Sequence, residues 1–224
     1  MKSVRVIVTC GPSYEPIDEV RRITNFSTGE LGILLANELA RAGHDVVCFK
    51  GAGATCPLLL NGARLISFTT NDDLRVKLRA EADRGGIDAM FHAAALCDYK
   101  VQNATGSDGT ALASAKISSR QGLLTLVLEP LHKLIIELRT LFPRAKIVGW
   151  KYELVGSRDD VLAAGQRQMV EAATDACVVN GAAFGPGFGF CERDEAPIPF
   201  AGKAELCQGL ALWLGQTSAS GVRL

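Results

Sequence analysis

Short apolar runs alternate with amphipathic segments along most of this chain, and that order leaves few folds open. Val4–Cys10, Asp45–Lys50, Arg64–Phe68, Ile87–Ala95, Lys146–Trp150 and Ala176–Asn180 read as strands. Several are apolar throughout rather than alternating, as strands covered on both faces are. Helical segments lie between them. Ser27–Ala42 carries Leu31, Leu34, Leu35 and Leu39 on one stripe, with Gly43 just past its end and a capping-box pattern of Ser27 with Glu30 at its start. Asn71 or Asp72 caps a helix running to about Asp83, Leu131–Leu141 follows Pro130, and Asp159–Ala173 precedes the last parallel strand. This order predicts an α/β fold, a Rossmann-like three-layer sandwich with a mostly parallel sheet.

Two segments interrupt the alternation. Residues 99–128 are polar and rich in Gly, Ser, Ala and Thr before the strand-like Leu123–Leu128, which predicts a β-flap inserted into a single domain spanning 1–224. Residues 185–200 predict a hairpin, Lys203–Gln216 the last helix, and the residues past Thr217 a frayed tail.

Lys plus Arg equals Asp plus Glu at 24 each, so no global field gathers nucleic acid or an anionic membrane. No apolar run approaches the roughly 20 residues that cross a bilayer. Met1-Lys2-Ser3-Val4 leads straight into a strand, without a signal peptide, so a cytoplasmic location is expected. The seven cysteines form no close pair and several sit in apolar runs, which predicts reduced, buried thiols, Cys97 among them. His44, His92 and His132 are scattered with no ligand spacing, so no metal site is expected.

Ligands of open parallel sheets bind outside the carboxyl ends of the strands, which selects the loops after Cys10, Lys50, Ala95 and Trp150. The first runs from Gly11 to Gly29 and opens a helix whose free N–H groups and dipole favour phosphate. A Gly-x-Gly-x-x-Gly fingerprint is absent, and Lys50 stands where an acidic residue would grip a ribose. The ordinary NAD fingerprint therefore fails, and Lys50 leaves an NADP-linked reductase as an alternative.

Glu15-Pro-Ile-Asp-Glu-Val-Arg21, followed by Ile-Thr-Asn25-Phe-Ser-Thr-Gly29, resembles the opening signature of the phosphopantothenate–cysteine ligases, including the ligase half of the bifunctional coenzyme A enzymes. Further matches follow in order. Ala93-Ala-Ala-Leu-Cys-Asp98-Tyr resembles the family's Ala-rich strand ending in Asp, and Lys116-Ile-Ser-Ser its nucleotide-contacting lysine segment. Gly149-Trp-Lys151-Tyr-Glu153 resembles a strand end of eukaryotic members, and Asp175-Ala-Cys-Val-Val-Asn180 their last core strand. Glu30 departs from the lysine usual in bacterial members, and Arg167 and Gln168 stand on a helix that carries lysines there.

The resemblance implies a ligase that condenses 4′-phosphopantothenate with cysteine through an acyl-nucleotidylate. CTP or ATP would be the co-substrate, with Mg²⁺ and without flavin. It implies that Asn25 holds the activated acyl group, with Arg21, Ser27, Thr28 and Gly29 beside the substrate. Gly11, Ala94, Asp98, Lys116, Trp150 and Lys151 would contact the nucleotide. It also implies a homodimer in which the flap helps to cover the neighbouring site. A non-catalytic nucleotide-binding relative is the remaining alternative, motivated by Glu30 and the missing helix lysines.

Overall fold

The first strand, β1 (Arg5–Cys10), is almost wholly buried, and its alternating side chains enter two different cores, Val6 and Val8 one and Ile7 the other. A small hairpin of β2 (Tyr14–Pro16) and β3 (Arg22–Thr24) leads to α1 (Glu30–Arg41), then β4 (Asp45–Gly51), β5 (Ala63–Phe68) and α2 (Asn71–Arg84). β6 (Ala89–His92) is followed by β7 (Tyr99–Thr105) and β8 (Thr125–Pro130). A 3₁₀ turn (Leu134–Glu137) runs into a single helical turn, α3 (Leu138–Leu141). β9 (Lys146–Tyr152), α4 (Arg158–Glu171), β10 (Ala176–Asn180), β11 (Phe188–Glu192), β12 (Ile198–Phe200) and α5 (Lys203–Ala219) complete the chain. This is a computed structural model, and it describes residues 3–112 and 115–219.

Eight strands form one sheet in the order β12-β11-β10-β9-β6-β1-β4-β5. The strands from β10 to β5 are parallel, and β11 and β12 add an antiparallel edge. Numbered in chain order, the parallel strands lie 3-2-1-4-5-6, the doubly wound arrangement, with its reversal between β1 and β6. α1 and α5 cover one face through Ile33, Leu35, Leu39, Leu206 and Leu210. α2, α3 and α4 cover the other through Leu74, Leu78, Leu138 and Met169. Each fully buried leucine or isoleucine contributes roughly 1.5–3 kcal/mol relative to an exposed one. The expected α/β three-layer fold is therefore the fold observed.

Local chemistry moves several boundaries. α1 starts at Glu30, and the Ser27–Glu30 capping box does not form. Gly29 caps the helix in the left-handed region at φ 77°, where a Cβ would also lie 3.0 Å from that of Ala54, and the Glu30 carboxylate is turned to Lys203. α2 is capped by Thr70, not by Asn71 or Asp72, because the Thr70 hydroxyl accepts the Asp73 N–H at 3.1 Å. A true capping box forms instead at α4, between Ser157 and Asp160.

The helix expected over Leu131–Leu141 is cut to its last four residues, preceded by a 3₁₀ turn. The Leu131 N–H donates to the Asp98 carbonyl at 2.8 Å and holds the chain extended up to the 3₁₀ turn. Residues 188–200 form the expected hairpin and join the main sheet. β7 and β8 make a separate antiparallel ribbon, whose second strand starts at Thr125 rather than Leu123. α5 continues to Ala219, past the expected end, and the rest of the expected tail lies outside the described residues, as do residues 1–2 and 113–114.

Candidate active site

A cavity of about 850 Å³ opens over the carboxyl ends of β1, β6 and β9, at the reversal of strand order. The chain between Asn25 and Gly32 walls one side, the segment Ala93–Asp98 lies along the middle, and Leu131–Ile135 with Gln168 walls the other. Two interstrand bonds extend the sheet into this region, with Ala93 N–H donating to the Thr9 carbonyl at 3.1 Å and Ala95 N–H to that of Gly11 at 2.9 Å.

Asn25 is anchored at the wall by its Nδ2, which donates to the Leu96 carbonyl at 2.8 Å. One N–H of that amide and its oxygen remain for a ligand. Asp98 presents a carboxylate with no hydrogen-bond partner among the described residues, because its carbonyl alone is used by Leu131. Lys151 pairs with Glu153 at 3.0 Å, and Lys203, from the start of α5, pairs with Glu30 at the cavity rim.

Gln168 sits against the backbone of Gly149, where a Cβ would meet its Oε1 at 2.6 Å. Its Nε2 donates to the Trp150 carbonyl at 3.1 Å, and its Oε1 accepts from the Cys177 thiol at 3.1 Å. Among the described residues the buried Trp150 Nε1 has no acceptor and the buried Asn71 Oδ1 no donor, whereas the Asn71 Nδ2 donates to the Cys97 carbonyl at 2.8 Å. Burial lowers the His92 pKa to about 4, so this imidazole is neutral at pH 7. All seven cysteines are free and buried, and burial pushes the Cys97 thiol up.

Of the residues singled out from sequence, Gly11, Asn25, Ser27, Thr28, Gly29, Ala94, Asp98, Trp150 and Lys151 line this one cavity. Arg21 and Lys116 do not. Arg21 is bound to Asp18, its Nε at 3.0 Å and its Nη2 at 2.6 Å from Oδ2, and it also donates to the Ile117 carbonyl. Asp18 Oδ2 accepts the Ile117 N–H at 3.1 Å, so the first loop is tied to the stretch carrying Lys116, which is exposed.

Lys203, His92 and Asn71 were not anticipated in the site. The Glu30–Lys203 pair joins residues 173 positions apart, which no local pattern reveals. His92 could have been found by counting alternate positions along β6 from the apolar Met90, which places it on the face shared with Thr9 of β1.

The doubly wound sheet defines a Rossmann-like α/β protein whose cavity lies where the strand order reverses, the place where ligands of such sheets bind. Residues 1–204 match the DNA/pantothenate metabolism flavoprotein C-terminal domain family, and the chain belongs to that family. It is 31% identical over 180 residues to the coenzyme A biosynthesis bifunctional protein CoaBC of Thermococcus kodakarensis, covering 80% of this chain and 42% of that protein. The corresponding protein of Methanocaldococcus jannaschii is 28% identical over 149 residues, 66% of this chain and 33% of that one. The chain therefore spans less than half the length of these curated relatives. The crystal structure of the DNA/pantothenate metabolism flavoprotein from Streptococcus pneumoniae superposes with a TM-score of 0.83 at 23% identity, covering 97% of this chain and all of that one. A Cab2 variant in complex with phosphopantothenate-cysteine superposes at 0.72 with 15% identity, covering 97% and 87%. Both have the fold seen here.

Proposed function

We propose that this chain condenses 4′-phosphopantothenate with cysteine in coenzyme A biosynthesis, activating the acid with CTP or ATP. The observation that carries this reading is Asn25, fixed by Leu96 on the wall of a cavity that also holds the Asp98 carboxylate and the end of β9. Membership of a family whose relatives are coenzyme A biosynthesis proteins supports it.

In this reading a carboxylate oxygen of the acid attacks the α-phosphorus, the α–β bridging bond breaks, and pyrophosphate leaves. The cysteine amine then attacks the acyl carbon, loses a proton to water, and releases the nucleoside monophosphate. A carboxylate is already nucleophilic at pH 7, so the protein's task is placement and charge stabilisation. Asn25 donates its remaining N–H to the oxygen of the reacting acyl group. Ser27, Thr28 and Gly29 carry the acid beside the start of α1, and Gly11, Ala94, Asp98, Trp150 and Lys151 hold the nucleotide. Arg21 acts through Asp18 by fixing this loop, and Lys116 serves the nucleotide of a neighbouring subunit.

Mg²⁺ would be the counter-ion of the triphosphate, and the Asp98 carboxylate, unpaired among the described residues, would be the wall residue to hold it. The enzyme would be a cytoplasmic homodimer without a flavin. The ribbon of β7 and β8, with Val127 and Leu128 exposed, would reach over the second cavity as a flap of a single ligase domain.

Pyrophosphate release with phosphopantothenate, cysteine and either CTP or ATP tests this directly. Asn25→Ala should lower kcat on the order of 100-fold, the usual cost of losing one donor to a developing charge. Asp98→Ala should raise the nucleotide KM. Rates equal to wild type in both variants would overturn the assignment.

A further inference from the structure

His92 is the one histidine on the cavity wall that is nine-tenths buried, at 7% exposure, and its two ring nitrogens have different fates. Its Nδ1 lies 2.8 Å from the Thr9 Oγ1. That hydroxyl also accepts the Ala94 N–H at 3.3 Å, and Thr9 is fully buried with no other acceptor for its own proton among the described residues. If Nδ1 carried a hydrogen, two donors would point at Thr9 and its O–H would be stranded, at the cost of an unmade buried hydrogen bond. The arrangement that satisfies both Thr9 and Nδ1 has Thr9 O–H donating to a bare Nδ1. The imidazole proton then sits on Nε2, which has no acceptor among the described residues.

The surroundings say what that proton meets. His92 and Gly149 each follow the last residues paired between β6 and β9, Phe91 and Val148. The side chains of Ile135 and Gln168 lie over Gly149, on the layer of α2, α3 and α4. Lys203, at the start of α5 beside Glu30, belongs to the opposite layer, and on the wall of Ile135 the one lysine, Lys133, precedes the 3₁₀ turn. A neutral donor beside an isoleucine and an amide already bonded on both sides is a poor phosphate site. It suits the flat, uncharged edge of a heterocycle, whose carbonyl oxygen or ring nitrogen accepts one hydrogen bond.

We propose that His92 reads the nucleobase of the nucleoside triphosphate, donating from Nε2 to a base acceptor, with Thr9 as the positioning residue that fixes the tautomer. This rests on the proposed ligase reading for the identity of the nucleotide, and it makes His92 a determinant of base preference.

The test is titration of CTP, ATP and inorganic triphosphate into wild type, His92→Phe and Thr9→Val, with long-range ¹H–¹⁵N spectra of the His92 ring. His92→Phe should weaken the preferred nucleotide about tenfold, as the loss of one hydrogen bond does, and should narrow the ratio of CTP to ATP affinity. It should leave inorganic triphosphate unchanged. Wild type at pH 7 should show the Nε2–H tautomer, and Thr9→Val a mixture with nucleotide affinity a few-fold weaker. An Nδ1–H tautomer or an imidazolium in wild type would overturn the proposal, and so would equal weakening of nucleotide and inorganic triphosphate, or no weakening at all. Should His92→Phe fail to fold, the wild-type tautomer and the Thr9→Val titration decide. A wild type that binds nucleotide yet releases no pyrophosphate refutes the ligase reading and leaves the base comparison to stand on its own numbers. A wild type that binds neither nucleotide refutes both.

Discussion

The carboxylate of Glu30, first residue of α1, is bound to the Nζ of Lys203, first residue of α5, so two helices of one layer begin on a shared ion pair at the cavity rim. The acid at the start of α1 is thereby neutralised from a distant part of the chain. Removing the cation should uncover it.

Lys203→Met should raise KM for the anionic substrates about tenfold, equivalent to ~1.4 kcal/mol, with kcat little changed. The double variant Glu30→Gln with Lys203→Met should recover most of that loss. Thermal stability should shift by less than about 1 kcal/mol in either case, because the pair is exposed and screened. Steady-state kinetics at low and moderate salt measure this, and a KM that does not respond to Lys203→Met would remove the pair from the binding site.

Gly32, in the first turn of α1, packs directly on β1: a Cβ there would lie 2.2 Å from the Cβ of Cys10. Gly32→Ala should therefore destabilise the protein by ~1–3 kcal/mol, the range for an overpacked core, despite alanine's better helix propensity. Cys10→Ala keeps the offending Cβ and should not rescue it, whereas Cys10→Gly should show positive coupling with Gly32→Ala in a double-mutant cycle. Chemical denaturation of wild type, the three single variants and the two double variants decides. Equal stability of Gly32→Ala and wild type would mean that the contact is not held in solution.

Burial alone would push the Asp18 carboxyl up, but the N–H groups of Val20, Ile117 and Arg21 and the Arg21 guanidinium outweigh it and hold it far below the ordinary range. The native state thus favours the carboxylate. Its contribution is whole above the unfolded pKa of about 3.9 and is lost as pH falls through the depressed native value. Asp18→Asn should lack this acid-dependent component and should lower hydrogen-exchange protection of the Ile117 amide already at pH 7. Protection equal to wild type would show that the tether is not what orders this stretch.

The layered fold was readable because its signal is redundant: six parallel strands each carry their own apolar run, and an error in one leaves the others standing. Helix caps were read less well, since Ser27, Asn71 and Asp72 all have capping chemistry and only the path of the chain selects Gly29 and Thr70. The motif residues that converge on the cavity are those adjoining strand ends, where the sheet fixes their direction. Arg21 and Lys116 lie in a hairpin loop and beyond the ribbon's first strand, and their spacing carries no information about direction. The Thr9–His92 bond spans 83 positions and depends on register, which composition does not show.

β6 is held between β1 and β9, with Phe91 turned to the core of α1 and α5 and Met90 to the core of α2 and α3. Odd and even positions along this strand are therefore addressed to different halves of the cavity. Deleting a single residue at Ile87 or Asp88 would alter no group that contacts a ligand. It would nonetheless exchange parity, sending the imidazole of His92 toward the ion-pair layer and leaving the methyl group of Ala93 in its place. What is fixed between Asp88 and Asp98 is thus a count as well as a chemistry.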